Sequence, residues 1–222
     1  MSSHEEEVHP TSGYTRVEEW MNSITHGIGI PLAIAGLVLS VVYAAIYKGA
    51  SMVTACSIYG SSLILLYSAS TLYHSARNLS WKRFFLVCDH TCIYFLIAGS
   101  YTPFTLGPLR GPLGWTIFGL TWGFAFLGLM KEIFFPGRGG FWSTMIYLAM
   151  GWLCLMAVKH LYMNMTTLGF AWLMIGGLCY SLGTIFYLWK GMKFHHAIWH
   201  LFVLAGSTFQ FFSVLAYLIP NK

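Results

Sequence analysis

The sequence predicts an all-α membrane protein, a bundle of seven transmembrane helices. Three observations predict it. The chain is 57% hydrophobic and only 9% charged, whereas a soluble domain carries roughly 25% charged residues. Its apolar residues gather into seven stretches of about 20, the number that crosses the hydrocarbon at about 1.5 Å per residue. Short connections rich in glycine, proline and charge separate those stretches.

Taken in order, residues 1–15 read as a disordered, solvated tail, with Glu5, Glu6 and Glu7 adjacent and too little apolar surface to fold alone. This acidic start lacks the positive charge that precedes a cleaved secretory signal, so the first span is expected to insert the chain itself. Residues 16–25 mix Arg16, Glu18, Glu19, Trp20 and Asn22, which suits an amphipathic segment on the membrane surface. Within a membrane domain of 16–222, the spans fall at about 27–47, 52–75, 84–106, 114–134, 141–159, 168–189 and 197–219. Gly119 and Gly123, four apart in the fourth span, are expected to let helix backbones approach closely.

Orientation follows from the basic residues on alternate sides. One side holds eight: Arg16, Arg77, Lys82, Arg83, Lys131, Arg138, Lys190 and Lys193. The other holds four: Lys48, Arg110, Lys159 and Lys222. The first side is expected to be cytoplasmic, which puts the amino terminus inside and the carboxyl terminus outside. No run of Lys and Arg would track a phosphate backbone, so nucleic acid is not an expected partner. The five cysteines lie in apolar stretches without a CxxC pair and read as small apolar filler.

Against this apolar background, ionisable groups stand out, because a charge at the bilayer centre costs roughly 2.5–3.5 kcal/mol on insertion scales. His26 opens the first span, Ser70 and His74 close the second, Asp89 and His90 open the third, and His196 and His200 open the seventh. All converge on one end of the bundle. His196 and His200 are four apart and share a helix face, so both can face one ion. His74 would complete three protein ligands, the zinc pattern that leaves a fourth position open. His195 points about 100° away from His196 and is not expected to share the ion. A proton relay built from histidine and aspartate is the alternative reading of the same residues.

Three motif regions carry a family resemblance: EEWMNSITHGIG, SASTLYHS followed by DHTCIYFLIAGSYTPF, and HHAIWHLFVLAGS. Together they resemble the haemolysin III family, the bacterial branch of the progestin and adiponectin receptor superfamily, over about 17–218. The resemblance implies seven spans with a cytoplasmic amino terminus in a bacterial inner membrane. It also implies a Zn2+ held by His74, His196 and His200, with Ser70 and Asp89 beside it. It further implies links to membrane-lipid homeostasis, similarity to alkaline ceramidases, and a pore-forming haemolytic activity of some members.

The expected chemistry is metal-dependent hydrolysis of a lipid amide or ester. A zinc ion would lower the pKa of a bound water from about 15.7 toward about 7. Asp89 is the expected proton acceptor and Ser70 the expected hydrogen-bond donor to water or oxyanion. Membrane lipids are the expected partners, and an oligomer is compatible with the sequence. Two non-enzymatic alternatives stand beside this: a regulator whose zinc ties the bundle end together, and a pore-forming cytolysin. Glu18, Glu19 and Asn22 are expected to cap the mouth through loop backbone, with His26 joining the polar network.

Overall fold

A computed structural model of the chain describes residues 9, 12–138 and 140–218. Its regular elements are all helices: α1 (Arg16–Tyr47), α2 (Ala50–Ser75), α3 (Leu79–Leu106), α4 (Pro112–Phe134), α5 (Gly140–Gly151), α6 (Val158–Asn164), α7 (Thr167–Leu188) and α8 (His195–Leu218). A 3-10 stretch, Trp152–Ala157, joins α5 to α6, so that Gly140–Asn164 forms one span. Among the described residues, seven helices are thus long and apolar enough to cross a membrane, as the hydropathy pattern predicts.

The ends are set by local chemistry. Thr15 caps α1 reciprocally with Glu18: the threonine hydroxyl accepts from the Glu18 N–H, and the Glu18 carboxylate accepts from the Thr15 N–H. The Asn78 side chain accepts from the N–H groups of Ser80 and Trp81 at the start of α3, and Thr166 does the same for Gly169 at the start of α7. Between α1 and α2 the chain reverses through Lys48 and Gly49, where a φ of 88° favours glycine.

Residues 16–25, expected as a separate surface segment, are instead the first turns of α1. The capping box starts the helix at Arg16, and its inward face carries Glu19 and Asn22 into the bundle, both buried. Gly119 and Gly123 also differ from expectation, since a Cβ on either would meet nothing. Close approach on α4 falls to Gly128, where a Cβ would lie 2.4 Å from the Tyr94 ring of α3.

Helix α1 packs along α2 and α8, α2 along α3, α3 along α4, and α7 along α8, whereas α5 touches α3 and α7 only sparsely. Outward faces carry Ile28, Leu32, Val38, Phe126 and Leu127 among many exposed large apolar residues, as a lipid-facing surface requires. The loose fit around α5 leaves a cavity along the inner faces of α3, α5, α7 and α8. Beside it the fifth span breaks. The Tyr101 hydroxyl of α3 donates to the Gly151 carbonyl at 2.6 Å and accepts from the Cys154 N–H at 2.8 Å. One phenol therefore satisfies a donor and an acceptor that the break removes from the helix ladder, and hydrocarbon offers them no substitute.

Replacing Tyr101 by Phe takes the acceptor from the Cys154 N–H, leaves the Gly151 carbonyl only the weak Cys154 thiol donor at 3.7 Å, and should cost about 1–3 kcal/mol. A lowered unfolding midpoint of the detergent-purified variant is the expected reading, and an unchanged midpoint would remove Tyr101 as the stitch.

Candidate metal centre

Four helices bring the polar residues together at one end of the bundle. Helix α1 supplies Glu19, Asn22, Thr25 and His26. Helix α2 ends with Ser70 and His74, α3 begins with Lys82 and Asp89, and α8 begins with His196 and His200. All ten are buried. One ring nitrogen from each of His74, His196 and His200 lies within 4.8 Å of those of the other two. Three tetrahedral ligands at 2.0–2.1 Å from zinc stand about 3.3 Å apart, so small ring movements would complete coordination.

Hydrogen bonds orient two of these rings. His74 donates its Nδ1–H to the Glu19 carboxylate at 2.7 Å. The other Glu19 oxygen accepts from the Lys82 ammonium at 2.5 Å. His200 donates its Nδ1–H to the Asn22 carbonyl at 3.0 Å and lies equally close to the Thr25 hydroxyl. A carbonyl oxygen can only accept, and an ionised carboxylate likewise. Both rings therefore carry their proton on Nδ1 and leave the Nε2 lone pair toward the cluster. His74 Nε2 and His196 Nδ1 are buried without a hydrogen-bond partner. Buried orphans of this kind are rare in native proteins, and a metal ion would satisfy them. A carboxylate or carbonyl behind the ligating imidazole is also the usual support of a metal-binding histidine. The residues present fit a metal ion, and an all-imidazole set suits zinc, copper, nickel or iron.

The neighbours sort themselves by distance and partner. Asp89 lies beside Ser70, His74, His90 and Lys82, and the Ser70 hydroxyl has no hydrogen bond of normal geometry. His195 turns away and donates its Nδ1–H to the Phe186 carbonyl at 3.1 Å. His90 faces Glu132 of α4 at 3.4 Å. Of the expected mouth caps, Glu18 does bind loop backbone, accepting from the Phe194 N–H at 3.2 Å. That contact holds Phe194 at a φ of 58°, an unfavourable value for a bulky side chain, one residue before α8 starts. Glu19 and Asn22 differ from the expectation: they brace His74 and His200.

Two participants escape the sequence reading. Lys82, counted there as an interfacial charge, is fully buried between Glu19 and the Tyr73 ring, 4.6 Å from its centroid. Tyr14, assigned to the tail, roofs the site, with its ring 5.1 Å from His196 and 6.1 Å from His74. Ser12 follows it back and hydrogen-bonds Glu19. Burial pushes the Tyr14 phenol well above its usual range, which keeps it protonated. Of the expected tail, residues 1–8, 10 and 11 lie outside the described residues.

The site stands between two spaces. On one side is a groove lined by Arg16, Trp20, His74, Arg77 and Lys82. On the other is a largely apolar cavity, lined by His26, Asp89, His196 and His200 at one end. Its walls continue through Ile97, Tyr101 and Trp152 to Gln210, ten residues along α8 from His200 and so about 15 Å away.

The family model described as "Haemolysin-III related" matches residues 14–211. Hemolysin-3 of Bacillus cereus is 49% identical over 204 residues, which cover 92% of this chain and 93% of that protein. The Hemolysin-3 homolog of Bacillus subtilis (strain 168) is 49% identical over 206 residues, or 93% and 97% of the two chains. More distantly, the Monocyte to macrophage differentiation factor of Homo sapiens is 34% identical over 174 residues, 72% of this chain and 69% of that one.

If the trio holds the metal, the His196→Ala, His200→Ala double variant should purify without it while the wild type carries about one ion per chain, read by elemental analysis. Equal metal in both would place the ion elsewhere. Glu19→Gln keeps the ligands but weakens the brace, and metal affinity should fall by about 10–100-fold in a chelator competition.

Proposed function

The chain belongs to the haemolysin III family, the bacterial branch of the progestin and adiponectin receptor superfamily, and for this multi-pass bacterial membrane protein we propose zinc-dependent hydrolysis of a lipid amide or ester. The observation that carries the reading is the position of three imidazoles between a polar groove and an apolar cavity. Hydrolysis needs water and a lipid acyl group at one point. The groove reaches His74 from the charged end of α1 and α2, and the cavity reaches His196 and His200 from the bundle interior.

His74, His196 and His200 would hold the ion. When bound, zinc supplies Lewis acidity toward a carbonyl oxygen and makes water easier to deprotonate. The chain's own groups do the rest. Glu19 and the Asn22 carbonyl fix the tautomers of His74 and His200, so the ligating nitrogens stay unprotonated. Asp89, at the cavity wall, accepts the proton of the attacking water on its carboxylate and returns it to the leaving group. The Ser70 hydroxyl, beside Asp89, donates to the water or to the oxygen on which charge develops. Leu66, Ile93, Ile97, Trp199 and Val203 line an apolar bed for the acyl chain. Tyr14 closes the histidines against bulk water.

The basic residues at the same end of the bundle support a cytoplasmic site. The Bacillus relatives carry the name hemolysin; a cytolytic pore would need a polar path across the membrane, and the cavity walls beyond Ser100 are mostly apolar. A regulator that uses the metal only as a tie between helices would keep the trio but has no need of Asp89 on the wall of an apolar cavity.

Lipid extracts incubated with detergent-purified wild type should lose one amide- or ester-linked class. Asp89→Ala should slow that loss by about 100-fold or more at unchanged metal content. Turnover by Asp89→Ala at the wild-type rate would remove Asp89 from the chemistry, and an unaltered extract with metal-loaded wild type would favour the regulator.

A further inference from the structure

His26 lies outside the metal-binding trio but inside its cavity. It is 3% exposed, and neither ring nitrogen has a hydrogen-bond partner. Buried polar groups almost always have one. The adjoining rings do not provide it. Tyr67 sits 5.2 Å away, tilted by 56°, and its own hydroxyl is unpartnered. His200 lies flat against His26, with centroids 3.5 Å apart and planes within 11°.

That stack also excludes His26 as a fourth ligand. Imidazole lone pairs point in the ring plane. An ion in the plane of His200 therefore lies about a ring thickness off the plane of His26, since the two planes are nearly parallel. His26 correspondingly falls outside the group of nitrogens within 4.8 Å of one another. A neutral imidazole always carries one N–H, whichever tautomer it adopts. The open space beside this ring is the cavity it lines together with Asp89, His196 and His200. Away from that end the walls are mostly apolar, so a lipid's polar atom is best accommodated here.

We propose that His26 donates a hydrogen bond to the acyl carbonyl oxygen of the bound lipid and so positions the carbonyl beside the histidine trio. The inference rests on the acyl-lipid reading above and adds to it the group that selects a carbonyl over a plain hydrocarbon chain. His26 is then a substrate-binding residue, distinct from the ligands His74, His196 and His200 and from Asp89.

The test uses full-length protein in lipid nanodiscs and two probes of equal chain length, hexadecanamide and hexadecane. The wild type should bind hexadecanamide at least about tenfold more tightly, the effect of one hydrogen bond to a group otherwise left bare. His26→Phe keeps an aromatic ring against His200 but lacks the donor. It should lose that tenfold preference while its metal content and its hexadecane affinity stay at wild-type values. His26→Gln, which restores an N–H, should recover part of it. In the wild type itself, the infrared carbonyl band of 13C-labelled hexadecanamide should move to lower frequency on binding and move less in His26→Phe. A His26→Phe variant with the full preference overturns the inference alone, and so does an unshifted carbonyl band in the wild type, which needs no variant to fold. A wild type that binds neither probe overturns the acyl-lipid reading and this inference together.

Discussion

The structure turns on one constraint: three imidazoles crowd their ring-nitrogen lone pairs together inside an apolar bundle, where a nitrogen of His74 and one of His196 have no hydrogen-bond partner. Each of those lone pairs is costly without a partner, and the surrounding residues are arranged to hold rather than relieve that condition. Glu19 and the Asn22 carbonyl take the Nδ1 protons of His74 and His200. Lys82 balances the Glu19 charge in a place where neither would be stable alone. The architecture of the end follows. Helix α1 must run unbroken from Arg16 so that Glu19 and Asn22 reach α2 and α8, and the Thr15–Glu18 capping box starts it there. Glu18 then ties the same turn to the Phe194 N–H just ahead of the two histidines of α8.

Beyond the histidines, the bundle trades tight packing for access. The pairs α1–α2 and α7–α8 are closely apposed, but α5 stands off from α3 and α7. The fifth span is broken where it borders the resulting cavity, and Tyr101 keeps that break tolerable by meeting Gly151 and Cys154. A site with a polar groove on one side and an apolar cavity on the other suits chemistry between water and lipid. It suits neither a sealed structural metal nor a conducting pore as directly.

Much of this was legible in the sequence. Hydropathy located the seven spans because lipid-facing and core-facing residues are both apolar. The i, i+4 spacing of His196 and His200, with His74 at the same depth, pointed to the trio. What escaped the reading shares a physical cause. Glu19, Asn22, Trp20 and Arg16 look like an interfacial mixture, and only the packing of α1 between α2 and α8 shows that one side of that mixture is interior. Lys82 reads as a boundary lysine until its Glu19 partner is brought across from another helix. Tyr14 carries no periodicity that would mark it as a roof. Glu132, wholly buried with His90, Lys131 and the Gly137 N–H around it, depends likewise on the α3–α4 contact. Side chains whose partners lie 50 or more residues away, as in Glu19–His74, leave no local pattern.

The central claim, that these imidazoles grip one cation, is tested most directly by X-ray absorption spectroscopy at the zinc edge on wild-type protein purified without added metal. The account predicts a first shell of three nitrogens at about 2.0–2.1 Å with outer-shell imidazole scattering and one further light atom. A shell with sulfur at about 2.3 Å, or one showing a single imidazole, would contradict it.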